Sequence, residues 1–208
     1  MKTYAFIDAS NLFYGGEKSL GWKIDYEKLY KYLEEKYDVS VIYYFGSIET
    51  YKFPFDYLNH DTVPIEEFEK YLVGFIYKNR PSLSNNKLET LNHYLKRIRF
   101  YGKLENFGFR LILKPVKFYI DEFGNTERKA NCDVEITVRM IRESESFDRV
   151  IFMSGDGDFL SVLKFLREMG KEVLVFARAK RTAHEIRKFA GDKFLDFTYL
   201  REILRYEE

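Results

Sequence analysis

Four aspartates and one asparagine stand out for where they fall: Asp8, Asn11, Asp133, Asp156 and Asp158. Asp8 closes the apolar run Tyr4-Ala5-Phe6-Ile7, and Asn11 follows three residues on. Asp156 and Asp158 sit in Ser154-Gly155-Asp156-Gly157-Asp158, directly after the apolar Val150-Ile151-Phe152-Met153. Asp133 begins the segment that feeds that run. In open α/β sheets, ligands bind beyond the carboxyl ends of the strands, so these groups are expected on one rim. Clustered carboxylates repel, and some would be forced to take up protons. A divalent cation removes the conflict, and an oxygen-only donor set suits Mg²⁺ or Mn²⁺ better than Zn²⁺. Such an ion acidifies a water and neutralises a phosphate, which points to phosphoryl transfer or phosphodiester hydrolysis. Each acid also has a plain structural use. Asp8, Asp156 and Asp158 could cap helices, and Asp133 suits a helix dipole. Four acids meeting at one rim by accident is the harder explanation.

The elements that must position them read as a doubly wound α/β fold with a mainly parallel sheet. Strands are expected at Tyr4–Ile7, Val39–Phe45, around Phe109–Leu113, Arg149–Met153, Glu172–Phe176 and Phe194–Phe197. Helices are expected from an Asp25 cap through Leu33, from Pro64 to Tyr77, through Leu88–Ile98, from Asp133 to Glu143, over Phe159–Leu166, near Thr182–Phe189 and at the end of the chain. On the Asp133–Glu143 helix, Val134, Thr137, Val138 and Ile141 are the expected inner face. Lys117–Arg128 reads as a hairpin turning at Glu122-Phe123-Gly124-Asn125. Residues 47–86, with three prolines and a polar run, break the rhythm and read as an insertion or lid within a single domain spanning 1–208. Their Tyr and Phe content favours a contact surface, which leaves a homodimer open.

Composition narrows the field. With 34 Lys+Arg against 33 Asp+Glu, the chain does not grip nucleic acid by bulk charge. No apolar run approaches the roughly 20 residues that span a bilayer. The start, MKTYAFIDASN, reads as no signal peptide. Cys132 alone excludes an internal disulfide, and a cytoplasmic setting is expected. Gly15-Gly16 is not followed by a phosphate-loop lysine.

Three motifs, in order, resemble those of NYN domains, a PIN-like nuclease group. Phe6-Ile7-Asp8-Ala9-Ser10-Asn11 is similar to that family's opening D-x-x-N. Lys129-Ala130-Asn131-Cys132-Asp133 is similar to its K-x-x-x-D. Ser154-Gly155-Asp156-Gly157-Asp158-Phe159 is similar to its SGDxDF signature, with the L-x-x-x-G-K-x-V continuation at Leu166, Gly170, Lys171 and Val173. The likeness covers roughly residues 1–46 and 87–197. It implies a Rossmann-like, PIN-like three-layer sandwich and a metal-dependent ribonuclease, endo- or exonucleolytic, that leaves a 5′-phosphate and a 3′-hydroxyl. Asp8, Asp133, Asp156 and Asp158 would hold the metal, and Asn11 its water or a phosphate. Lys129 would meet the scissile phosphate, and Ser154 would support a carboxylate. Many members carry a further acid about six residues after the helix aspartate. Here that position is Arg139, expected to pair with Glu135 on an exposed face.

Between residues 176 and 193, six cations (Arg178, Lys180, Arg181, Arg187, Lys188 and Lys193) face two acids, Glu185 and Asp192. This stretch reads equally as a grip on the backbone of single-stranded or structured RNA and as a solvated helix face. His184 reads as a surface residue and Cys132 as packing. Two other functions compete: a non-catalytic RNA-binding module that keeps the acidic pocket, and a small-molecule phosphatase. The phosphatase ranks below because Asp8-Ala9-Ser10 lacks a second aspartate on the first strand.

Overall fold

The computed structural model describes residues 1–13, 20–120 and 126–207, with 126–129 described through their backbone alone. The diglycine at 15–16 and the hairpin turn at 122–125 lie outside the described residues. Strands β1 (Thr3–Asp8), β2 (Val39–Ile48), β3 (Arg110–Pro115), β6 (Arg149–Met153), β7 (Glu172–Ala177) and β8 (Phe194–Asp196) form one sheet in the order β3-β2-β1-β6-β7-β8. The pairs β1–β2, β1–β6, β6–β7 and β7–β8 are all parallel. The expected α/β class with a mainly parallel sheet is what the chain forms. All six residues of β1 are buried, as a parallel strand covered on both faces requires.

The chain divides into two compact units. The first comprises Met1–Phe45, Phe107–Arg110 and Cys132–Glu208. In it, helix α1 (Tyr26–Tyr37) starts where the Asp25 carboxylate accepts from the Glu27 and Lys28 amides. It stops at Asp38, whose left-handed φ of 54° ends the helical ladder. Helix α4 (Asp133–Arg142) precedes β6, α5 (Leu160–Glu168) joins β6 to β7, α6 (His184–Ala190) leads to β8, and α7 (Arg201–Leu204) closes the chain. The core is aromatic. Phe6 stacks on Tyr43 at 5.3 Å between ring centres, and Phe159 meets Phe152 edge-on at 4.8 Å.

Helix α4 departs from its expected face. It buries Ile136 and Met140, while Val134, Val138 and Ile141 are 69%, 40% and 44% exposed. The helix carries two apolar stripes, and its rotation is set by polar residues flanking the Ile136–Met140 side. The Tyr43 hydroxyl donates to Glu143 at 3.0 Å, and the Arg139 guanidinium lies 5.5 Å from the Tyr43 ring centre. Arg139 also pairs with Glu143 at 3.5 Å, with both side chains 23% exposed. Arg139 and Glu135 are both half-buried, so the face they share is not the exposed one expected.

The second unit comprises Gly46–Asn106 and Leu111–Asn131. It contains α2 (Ile65–Asn79), α3 (Asn85–Phe107), and a separate hairpin of β4 (Lys117–Ile120) and β5 (Thr126–Lys129). Much of its aromatic content is packed: Phe53 lies 4.9 Å from Phe68, and Tyr51 lies 5.2 Å from Phe75. Tyr57, Leu58 and Tyr77 remain exposed. No helix among the described residues is long and apolar enough to cross a membrane.

Candidate metal centre

The site is built at the carboxyl ends of β1 and β6 within the first unit. β6 ends at Met153, and the chain turns through the buried Ser154 into Gly155-Asp156-Gly157-Asp158. Two close approaches fix the glycines. A Cβ at Gly155 would lie 2.6 Å from the Thr182 hydroxyl oxygen and 2.9 Å from the Thr182 Cα. A Cβ at Gly157 would lie 2.5 Å from Glu185 Oε1. Asp156 caps the turn that follows by accepting from the Asp158 amide at 3.1 Å. Asp133 arrives at the first position of α4, where the partial positive charge of a helix N-terminus favours an anion.

Each of Asp133, Asp156 and Asp158 offers a carboxylate oxygen within 4.8 Å of the other two. Asp133 is half-buried and Asp158 is exposed. Like charges at that range repel by roughly 1 kcal/mol per pair in water and about 3–4 kcal/mol at an effective dielectric of 20. Three convergent carboxylate oxygens without sulfur or imidazole form the donor set of a hard cation such as Mg²⁺ or Mn²⁺, so these residues fit the implied metal.

Asp8 stands beside this trio and outside it. Its Oδ1 accepts from the Ser10 amide at 3.0 Å, the Ser10 hydroxyl at 2.7 Å and the Asn11 amide at 3.2 Å. Its Oδ2 accepts from the Ser154 hydroxyl at 3.1 Å, and Ser154 Oγ in turn accepts from the Asp156 amide at 3.3 Å. Asn11 Oδ1 accepts from the Gly155 amide at 3.1 Å. The end of β1 and the loop after β6 are thus stitched together by side chains. Asp8 caps the helical turn Ala9–Asn11 and orients the β6 loop through Ser154.

The other expected residues are distributed as follows. Arg178 follows β7 and is half-buried; Lys180 and Arg181 are exposed in the next turn. Arg187, Lys188 and His184 are exposed on α6. Lys193 is an ion-pair partner of Glu172, so it does not add to a free basic surface. The Lys129 side chain lies outside the described residues. Sequence reasoning gave no role in the site to Ser10, Thr182 or Glu185. The two glycines were the available signal for Thr182 and Glu185, since a glycine in a tight loop marks a close neighbour. Nothing in the sequence tells which neighbour.

Residues 72–201 match the NYN domain family. That match takes in Asp133, Asp156 and Asp158 and begins after Asp8 and Asn11. The protein called "Low amplitude and bright protein LabA" from Synechococcus elongatus is 29% identical over 111 residues, which is 52% of this chain and 59% of that protein. The chain therefore matches less than two thirds of that relative's length. A crystal structure of a protein of unknown function from Vibrio parahaemolyticus superposes with a TM-score of 0.59 at 21% identity, covering 94% of this chain and 91% of that one. The shared fold agrees with the sheet described above. The family match spans well over half the chain and contains all three clustered acids, so this chain belongs to the NYN domain family.

Proposed function

We propose that the protein is a metal-dependent nuclease that hydrolyses RNA phosphodiester bonds. The observation that supports this best is the convergence of Asp133, Asp156 and Asp158 at one strand rim in an NYN-family chain. These three aspartates hold Mg²⁺ or Mn²⁺, with Asp8 completing the acidic rim. A divalent cation bound there would supply charge neutralisation for the phosphodiester and a more acidic water. Ser154 keeps Asp8 and the β6 loop in register, and Asn11 pins Gly155. Lys129, Arg178, Lys180 and Arg181 meet the substrate backbone. The chain acts in the cytoplasm as one domain, with 47–86 as an insertion and a second copy as a partner.

The test is incubation of labelled single-stranded and structured RNA with Mn²⁺, with Mg²⁺ and with EDTA. Metal-dependent cleavage that is lost in Asp156→Asn is expected. Cleavage that survives both EDTA and that substitution would overturn the site. One observation favours a second reading, a non-catalytic RNA-binding module. Arg139, at the position of a further family acid, is committed to Glu143 and Tyr43. Binding without cleavage would select that reading. Phosphate release from small phosphoesters without RNA cleavage would select a phosphatase.

A further inference from the structure

The first unit has three half-buried arginines with described side chains: Arg139, Arg149 and Arg178. Arg139 pairs with Glu143, and Arg149 pairs with Glu172 at 2.6 Å. Arg178 has no carboxylate partner among the described residues. Its Nε and Nη1 are enclosed and have no hydrogen-bond acceptor among the described residues. A guanidinium cut off from water keeps its full charge, so enclosing it without a counter-charge is costly. Its loop is nonetheless firmly held. The Arg178 carbonyl accepts from the Thr182 hydroxyl at 2.8 Å and from the Arg181 amide at 2.9 Å. The Ala183 amide donates to the Gly155 carbonyl at 2.9 Å, which ties this loop to the one carrying Asp156 and Asp158. Lys180 and Arg181, exposed beside it, also have no ion-pair partner among the described residues.

We infer that the loop Arg178–Thr182 is a phosphate subsite, with Arg178 as its anchoring cation. Its occupant is an internucleotide phosphate of the strand whose cleavage the acid cluster performs; that choice of polyanion rests on the nuclease reading. Part of Arg178 still faces solvent, and a phosphate oxygen meeting it there forms a charge-assisted bond that partial dehydration strengthens. Lys180 and Arg181 supply the looser, screened attraction that brings a strand to the loop. A single inorganic phosphate shares the chemistry of the anchor and lacks the adjoining charges.

The test is fluorescence anisotropy of a labelled 12-nucleotide single-stranded RNA, measured with EDTA and with Ca²⁺ over a salt series. The proteins are wild type, Arg178→Gln, Arg178→Lys and the double variant Lys180→Gln/Arg181→Gln. Arg178→Gln should weaken binding about tenfold and flatten the log K against log salt slope by about 0.7, one single-strand phosphate contact. Arg178→Lys should keep the slope and lose part of the affinity, because a point charge replaces a planar fork. The double variant should weaken binding with a larger change in slope. The free Arg178→Gln protein should melt at or above the wild-type temperature, since it sheds an uncompensated charge. Millimolar inorganic phosphate should displace RNA from wild type more readily than from Arg178→Gln.

Unchanged RNA affinity in Arg178→Gln overturns the subsite. So does a lower melting temperature with unchanged affinity, which would make Arg178 a structural residue. Equal competition by phosphate in both proteins, or no RNA binding by wild type in either buffer, does the same. Arg178-dependent binding without cleavage in Mn²⁺ would sink the nuclease reading and leave the subsite standing. Cleavage together with Arg178-independent binding would do the reverse.

Discussion

Two loops lie side by side at the rim of the sheet, and they carry opposite electrostatic problems. The loop after β6 holds Asp156 and Asp158, whose carboxylates converge on that of Asp133. The loop after β7 holds Arg178, Lys180 and Arg181, which have no carboxylate partner among the described residues. Their backbones touch through Gly155, Thr182 and Ala183, yet the charges are not paired across the contact. The other half-buried arginines of the same unit, Arg139 and Arg149, each have a carboxylate partner. Glu172, at the start of β7, binds both Arg149 and Lys193. Converging acids beside cations that lack a carboxylate partner among the described residues are poor for stability and well suited to receiving a cation and a phosphate together.

The strongest way to break this comparison is to remove an acid. Asp156→Asn should lower metal-dependent cleavage by on the order of 100- to 1,000-fold in single-turnover assays, typical for losing one group that stabilises transition-state charge. It should also weaken Mn²⁺ binding measured by calorimetry. Unaltered cleavage would mean that the trio is only a crowded helix start.

Stitching comes next. Ser154→Ala removes the hydroxyl between Asp8 and the Asp156 amide. The expected cost is about 10- to 100-fold in metal affinity, the usual range for residues that orient a metal's ligands. A Mn²⁺ titration that matches wild type would show that Asp8 does not act through Ser154.

The contact between the loops is tested by its glycines. Gly155→Ala drives a methyl group against the Thr182 backbone and should cost about 1–3 kcal/mol in urea denaturation. Gly157→Ala meets the end of the exposed Glu185 side chain, which can swing away, so a cost below about 1 kcal/mol is expected. Equal costs would mean that the two loops are not in firm backbone contact.

The smallest effect concerns the satisfied end of β7. Hydrogen bonds from Lys193 and then Arg149 hold the Glu172 carboxyl below its ordinary value of 4.5. A folded-state value that is lowered gives stability present above the unfolded value and lost as pH falls through the folded one. Melting temperature should therefore drop below about pH 4.5 by more in wild type than in Glu172→Gln. Parallel pH profiles would remove Glu172 as the contrast to the unpaired loop.

Much of the fold was legible because its signals are local. Apolar runs ending in aspartate read as buried strands, and Asp25 reads as a cap whatever lies elsewhere. The face of α4 was not legible, since Val134, Val138 and Ile141 form as good a stripe as Ile136 and Met140. The choice came from Tyr43, a strand residue about a hundred positions away, acting on Arg139 and Glu143. The basic stretch was legible as charge, although its members differ: Lys193 is taken by Glu172, while Arg178 has no acid among the described residues.

The amino-acid sequence by itself determined the parallel α/β class, the NYN motifs and the order of the acids along the chain, because strand and helix periodicity and short motifs are written in neighbouring residues. Tertiary structure decided which acids share a point in space. It brought Asp133, Asp156 and Asp158 together and turned Asp8 toward Ser10, Asn11 and Ser154. It also left Arg178 Nε and Nη1 enclosed without an acceptor among the described residues. Those outcomes depend on strand register, helix rotation and loop-to-loop contact, which are set between residues far apart in the chain.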